Sequence, residues 1–399
     1  MSTKIYKIGV LVESSRAYGR SLIRGISEYA STREDWQLYY HEGTLDTRLS
    51  DLLDYWQADG ILTRIINDED SEAICASQIP AVNLFSTPPQ HPISSVTVDN
   101  ATIGKAAAEF FLRAGFSQLA FCGYPGIHFS DLRQAAFEEA AVAGGATCTS
   151  YVPLREPTST SISGRESWHP DRESDLAKWL SDLPKPTAIF ACNDVRSLDV
   201  SAACRLNNIE VPSDIAILGS DNDELICNMS HPPLSSIEAD ITSQGYRGAE
   251  LLNQLIQGSA TAPVFQTIPL KTIVERPSTD AIIFKKPHVA AAVRYMRKNY
   301  HLHICPEIIA QHVGISRSLL DRDFKAELGL TVSIELREIR FARIRHLLLH
   351  TDLTIKKIAS QTGFSNDVSL SHFFKASTGV TPGAFRRNNN PKLAEIDSD

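Results

Sequence analysis

Two eight-residue phrases, FKAELGLT at 324–331 and FKASTGVT at 374–381, constrain this chain more than any other feature. A repeat this close calls for two copies of one local structure, and the residues leading into each copy identify it. The first lead-in is PEIIAQHVGISRSLLDRD (306–323) and the second is TIKKIASQTGFSNDVSLSHF (354–373). Ala310 aligns with Ala359, Gly314 with Gly363 and Ser316 with Ser365 at an offset of 49, whereas Phe324-Lys325 aligns with Phe374-Lys375 at an offset of 50. One extra residue is therefore expected inside the second helix of the second copy. The small Ala lets a second helix cross closely, and the Gly supplies positive φ where the chain leaves a helix. The Ser is placed to cap the next helix, and Leu320/Phe324 and Leu370/Phe374, four apart, bury one face. Helix, glycine turn, capped helix is the helix-turn-helix, whose second helix enters the major groove of double-stranded DNA.

Charge agrees with that reading. The chain carries −8 in all, yet residues 285–390 hold 17 Lys/Arg against 8 Asp/Glu, a net of +9, while residues 1–284 hold 21 against 36, a net of −15. A basic block on an acidic body is the electrostatic footprint of a nucleic-acid module. Between the two copies, SIELREIRFARIRHLLLH (333–350) reads as a long helix with an apolar stripe at Phe341, Ile344 and Leu348, spacing the two units apart. Ahead of them, Val289, Val293, Met296 and Tyr300 fall on one helical face that should cover the first unit.

With these residues in place, 287–388 resembles the AraC/XylS-type DNA-binding domain, most specifically over IASQTGFSNDVSLSHFFKASTGVTPGAFRR. The resemblance implies groove-facing Arg317, Ser318, Asp321 and Arg322 in the first recognition helix, and Asn366, Asp367, Ser369 and His372 in the second. Arg317 and Arg322 suit guanine edges and Asn366 suits adenine. Lys325, Lys375, Arg386 and Arg387 are expected to neutralise phosphate.

The acidic body has a different rhythm. Short apolar runs (IGVLV, GILT, AVNLF, SSVTV, LAFCG, AIFAC, IAILG) alternate with amphipathic stretches such as RSLIRGISEYA and GKAAAEFFLRAG. Strands alternating with helices imply parallel sheets built from βαβ units, with ligands at the carboxyl ends of the strands. Those ends carry Glu13-Ser14-Ser15-Arg16, Asp99-Asn100, Asn193-Asp194 and Ser220-Asp221-Asn222-Asp223, with Tyr18, Tyr124 and Phe129 nearby. Amides and carboxylates pair with hydroxyls while aromatic faces stack on C–H surfaces, so the pattern suits a polyol. One Asp or Asn alone would more often cap a helix; four strand ends together favour a site. Asp99 is the weakest member. The stretch PTSTSISGRESWHP (157–170) reads as a mobile polar surface loop.

VTVDNATIGKAAAEFFLRAGFSQLAFCG, AIFACNDVRSLDV, IAILGSDND and VERPSTD resemble the LacI-type regulator core and the periplasmic sugar-binding fold it shares. The fold expected is thus an α/β two-lobed periplasmic-binding-protein-like domain (1–284), then an all-α domain with two helix-turn-helix motifs (285–390) and an acidic tail (391–399). The resemblance points to Arg133, Asp194 and Asp221 as sugar contacts. With the strand-end reading, the expected ligand set is Ser14, Ser15, Arg16, Tyr18, Asp99, Arg133, Asn193, Asp194 and Asp221. A LacI-type body fused to an AraC-type DNA domain resembles pentose-responsive operon regulators. It implies a xylose-dependent activator, a homodimer, an operator or promoter as DNA target and RNA polymerase as partner.

Other classes fare worse. The body carries no P-loop, GxSxG elbow or HExxH, which disfavours an enzyme. Seven cysteines are scattered, none at CxxC spacing, and no histidine of the body has a partner at metal spacing, so neither a metal nor a cofactor is expected. MSTKIYKIGVLVESS runs straight into a strand with no cleavage-type residues, and no apolar stretch reaches the ~20 residues of a membrane span. A cytoplasmic, nucleoid-associated protein is expected over a transport-type binding protein. A non-sugar effector or a repressor's output remains compatible with the same architecture.

Overall fold

The computed structural model describes residues 4–42, 49, 52–53, 57–65, 67–86, 92–154, 164, 166, 170–260, 263–281 and 286–389. The acidic tail and most of 157–170 lie outside the described residues. The chain divides into two compact units, Met1–Ile282 and Ile283–Asp399.

The first unit holds two sheets. One is built from β1 (Tyr6–Leu11), β2 (Trp36–His41), β3 (Gly60–Thr63), β4 (Ala81–Asn83), β5 (Ser94–Val98) and β11 (Phe265–Ile268), in the order β11-β5-β4-β3-β1-β2. The other is built from β6 (Gln118–Cys122), β7 (Thr147–Ser150), β8 (Thr187–Ala191), β9 (Ile215–Ser220), β10 (Ser235–Ala239) and β12 (Leu270–Val274), in the order β12-β10-β9-β8-β6-β7. Neighbours pair in parallel except β10 with β12. Every residue of β8 and β9 is buried. Helices cover both faces of a parallel sheet, so its central strands read as unbroken apolar runs.

The chain passes between the lobes after β5, after β10 and between β11 and β12. After the first passage, helix Asn100–Arg113 packs on His128–Ala143; after the second, helix Ile241–Ile256 packs on Ala17–Ala30. Both crossing helices start on an aspartate cap: Asp99 accepts from Thr102 N at 2.9 Å and Asp240 from Ser243 N at 3.1 Å. Glycines make both pairs close, and in the second pair Gly25 adds to Gly245, since a Cβ on Gly25 would sit 1.9 Å from the Thr242 carbonyl oxygen. A Cβ on Gly104 would sit 2.2 Å from the Arg133 carbonyl oxygen, and one on Gly245 2.1 Å from that of Leu22. Each pair packs within one lobe, the first beside the sheet of β6–β8 and the second beside that of β3–β5, and the strand ends of both lobes line one cleft.

The second unit is wholly helical. Helix Pro287–Asn299 buries Val289, Val293 and Met296 against Ile309, Leu320 and Phe324; a second core gathers Ile344, Leu347, Leu348, Ile358, Leu370 and Phe374. Helix Val332–His350 serves both cores, with Val332 and Leu336 in the first and Ile344 in the second. The turns have the expected geometry, with φ of +75° at Gly314 and +76° at Gly363. The extra residue, however, is not in the second helix. Helices Pro306–His312 and Ile355–Gln361 match at an offset of 49, while Arg317–Leu328 and Asp367–Thr378, each 12 residues, match at 50. The insertion lies in the turn, and it moves the cap. Ser316 caps the first recognition helix by accepting from Leu319 N at 3.3 Å; Asn366, not Ser365, caps the second, accepting from Ser369 N at 2.8 Å. The two recognition helices therefore share one register, and Arg322 corresponds to His372. Arg386 also departs from expectation. It is fully buried and donates to the Leu353 carbonyl, so it braces the second unit and cannot meet a phosphate.

Candidate functional site

Strand ends deliver the cleft. Glu13, Arg16 and Tyr18 follow β1, Arg64 follows β3, Phe85 and Ser86 follow β4, and Asn100 opens the first crossing helix. From the other lobe come Phe129 and Arg133 on helix His128–Ala143, Asn193 after β8, Asp221 after β9, and Glu166. Together with Val98 they line a single cavity.

Each of its three arginines faces a carboxylate. Arg64 pairs with Glu13, Arg16 with Glu166, and Arg133 Nη2 lies 3.6 Å from Asp221 Oδ1. The Arg133 fork is further engaged by Asn100 Oδ1, which accepts from Nε at 2.9 Å, and by the Cys192 carbonyl. Aromatic rings face the same guanidiniums: Arg64 Cζ lies 4.6 Å from the Phe85 centroid and 5.3 Å from that of Tyr18, and Arg133 Cζ lies 5.2 Å from that of Phe129. Phe85 and Phe129 meet edge to face from opposite lobes, centroids 6.1 Å apart. Tyr18 donates to Gln244 Oε1 at 2.8 Å, and the buried Gln244 amide donates to the Leu84 and Val96 carbonyls at 2.9 and 2.8 Å. Burial lifts the Tyr18 phenol to about 12, so it stays a neutral donor. Burial also raises Asp221 to about 6 despite Arg133 and Arg16 beside it. It raises Asp194 to about 8, with the Asp221 charge adding to the shift. Balanced charge, many donors and acceptors and aromatic faces make a cleft suited to an uncharged, hydroxyl-rich ring.

Of the nine ligand residues expected from sequence, Arg16, Tyr18, Arg133, Asn193 and Asp221 lie on this lining. The other four do not. Ser14 donates to Glu42, Ser15 is exposed, and Asp99 caps its helix. Asp194 accepts from Asp223 N at 2.7 Å and from the Ser236 hydroxyl at 2.6 Å. The expected ligand set omits Glu13, Arg64, Phe85 and Asn100, although the strand-end rule reaches all four and names Glu13 and Asn100 outright. Nothing signalled Glu166. The stretch around it reads as surface loop, yet its side chain is 4 % exposed and accepts from Arg16 and, at 2.8 Å, from Asn193 Nδ2.

In the helical unit Arg317, Ser318, Arg322 and Lys325, and likewise Asn366, Asp367, Ser369, His372 and Lys375, are exposed on their recognition helices. Asp321 is half-buried: Oδ1 accepts from Val332 N at 3.2 Å, and Oδ2 lies 3.5 Å from Arg317 Nε. Arg317 also pairs with Glu307. Asp323, beside Arg322, is buried and binds Lys286 at 2.6 Å and His288 at 2.7 Å; Lys286, then His288 and Arg322, hold its carboxyl down at about 2.

Comparison with known proteins divides the chain the same way. An XylR N-terminal domain matches residues 7–98, a periplasmic binding protein-like domain 108–279, and a helix-turn-helix domain 309–388. The xylose operon regulatory protein of Escherichia coli K12 is 27 % identical over 98 % of this chain and 99 % of its own length. Its Haemophilus influenzae counterpart is 28 % identical over 97 % and 100 %. A solved structure described as the xylose-binding transcription activator xylR superposes with a TM-score of 0.71 at 26 % identity, covering 98 % of this chain and all of that one. Over its whole length the chain is similar to these xylose operon regulators, and it carries the domains of a sugar-responsive DNA-binding regulator. In XylR-like terms, the two-lobed body is the effector domain and the paired helix-turn-helix units are the DNA-binding domain. Among the described residues, no helix is long and apolar enough to cross a membrane, and no cluster of His, Cys, Asp and Glu is arranged to hold a metal ion.

Proposed function

We propose that a pentose, D-xylose first among them, binds between the two lobes and switches the XylR-like chain into an activator at operator or promoter DNA. The observation that carries the reading is the cleft's internal charge balance. Arg16, Arg64 and Arg133 are each met by Glu166, Glu13 and Asp221, and Tyr18, Phe85 and Phe129 supply faces for ring C–H groups. A neutral sugar can share these hydrogen bonds without adding charge to a buried site. The effector shifts the DNA-binding state only as far as its affinities for the two lobe arrangements differ. On this reading the protein works as a homodimer in the cytoplasm at the nucleoid, engages RNA polymerase, and performs no chemistry on the sugar. Asp194 and Asp99 position the strand ends from behind, and Ser14 and Ser15 join the ligand only through lobe movement.

Calorimetric titration with D-xylose, L-arabinose, D-ribose and D-glucose tests the reading. Heat with a pentose is expected; no heat with any of the four removes the sugar effector and leaves the DNA-binding domain standing. Recovery of an altered sugar after incubation would restore the enzyme alternative.

A further inference from the structure

Helix Ala17–Ala30 begins at the cleft and lacks a cap of its own. Arg16, at the N-cap position, makes no capping hydrogen bond through its side chain, and the first turn holds no acidic residue. A helix start leaves orphan N–H groups and a partial positive charge. Here the partner comes from the other lobe: Ala17 N donates to Asp223 Oδ2 at 2.9 Å, and Arg20 Nη2 lies 3.9 Å from the same oxygen. The second oxygen of Asp223 accepts from Leu225 N at 3.2 Å and caps its own short helix. One buried carboxylate thus caps two helices on opposite sides of the cleft.

The turn that carries it is rigid and strained. Asp221 and Asn222 both have positive φ, +106° and +49°, a conformation costly for side-chain-bearing residues. Asn222 is clamped by Arg276 Nη2, which donates to its Oδ1 at 2.8 Å, and by Ser236 Oγ, which accepts from its N at 3.0 Å. Asp223 is fixed through Asp194, which accepts its N–H at 2.7 Å. Asp221 faces the cavity and Asp223, two residues on, faces the opposing lobe. The clamps hold the backbone between the two carboxylates in place.

We propose that Asp223 is the closure latch of the effector cleft. It is a positioning residue that caps the first lobe's helix only when the lobes are together, and the strained turn couples that cap to the ligand contact at Asp221. The proposal rests on the cleft being the effector site, but its test need not.

Ala17→Pro isolates the latch. Proline suits the first helical position, and Arg16, at φ −112° and ψ 154°, already has the extended conformation a pre-proline residue adopts. The substitution removes the donor and puts a methylene against Asp223, leaving that residue's own helix cap and the cavity lining intact. Small-angle scattering of the sugar-free full-length protein should show Ala17→Pro more expanded than wild type, with saturating D-xylose restoring the compact form. D-xylose titration should show affinity reduced about five- to tenfold, the value of one helix cap. Asp223→Ala should weaken binding at least as much, while Asp223→Asn, which keeps an amide oxygen as acceptor, should recover part of the loss. Scattering and affinity equal to wild type in both Ala17→Pro and Asp223→Ala would overturn the latch. If wild type binds no sugar, the effector reading fails, and the sugar-free scattering comparison still decides the latch.

Discussion

Arg133 and Arg322 carry the same guanidinium in opposite settings. Arg133 is 3 % exposed, and its fork is divided among Asn100, the Cys192 carbonyl and Asp221. The Arg322 side chain is 72 % exposed, and its Nε donates to the neighbouring Asp323 at 3.2 Å. A buried charge is costly unless it is paired, so each cleft arginine already faces a carboxylate and a ligand must join or rearrange that network. A surface charge is already satisfied by water, so the recognition helices can stay open for a partner that brings its own counter-charge. The difference teaches that one deletion in the cleft should damage fold and ligand binding together, whereas one deletion on the DNA face should touch only DNA.

The strongest way to break that contrast is Arg133→Ala. Stripping a buried pair of one member should destabilise the effector domain by about 3–5 kcal/mol in thermal or urea unfolding and abolish measurable sugar binding. Arg133→Lys should fail nearly as badly, because one ammonium cannot serve the three acceptors of a planar fork.

Asp194 supplies the pH arm. Its folded pKa, about 8, lies above the ordinary carboxylate value because of burial and the Asp221 charge. Folding therefore favours the protonated form. The stabilisation is complete below about pH 4 and is lost as pH rises toward 8. Asp194→Asn cannot ionise, so its melting temperature relative to wild type should climb between pH 5 and 9. A constant difference would show that the buried carboxyl does not titrate there.

The glycine turns sharpen the comparison between the two DNA-binding units. At Gly314 no atom stands within 4 Å of an added Cβ, so Gly314→Ala should cost only the left-handed backbone penalty, about 1–2 kcal/mol. At Gly363 the same Cβ meets the Tyr300 carbonyl oxygen at 2.4 Å and the Arg340 guanidinium at 2.7 Å, so Gly363→Ala should cost clearly more.

The smallest effects on stability belong to the exposed face. If Arg322 meets a base edge as proposed from its place on the recognition helix, Arg322→Ala should cost about 1–3 kcal/mol at that base pair and leave the melting temperature unchanged. Lys375→Ala should weaken all DNA sequences alike and lower the salt slope of binding by about one. Footprinting on operator variants at several salt concentrations separates the two.

The legible part of this protein is the part whose chemistry is local. Alternating apolar runs announced the parallel sheets, and Gly314, Gly363 and the Leu–Phe spacing announced the helix-turn-helix units, because helix and turn preferences act over a few residues. The misplaced insertion shows the edge of that method. Ser365 and Asn366 are both good caps, and only packing of the second recognition helix through Leu370 and Phe374 chose Asn366. Arg386 is similar: arginine in a basic tail reads as surface, and only the fold supplied a buried acceptor in the Leu353 carbonyl.

The sequence by itself determined the two architectures, their order and the strand ends from which a ligand site would be built. Tertiary structure decided which strand-end groups face one another. Glu13, Arg64, Arg133, Glu166 and Asp221 are far apart in the chain and meet only because two lobes, joined by three crossings, bring their strand ends to one cleft. It also turned Asp194 from an expected ligand contact into a brace, and placed Asp223 where its carboxylate caps a helix 206 residues away. Burial is the reason: once water is excluded, each charge must find a partner, and which partner is within reach depends on the whole fold.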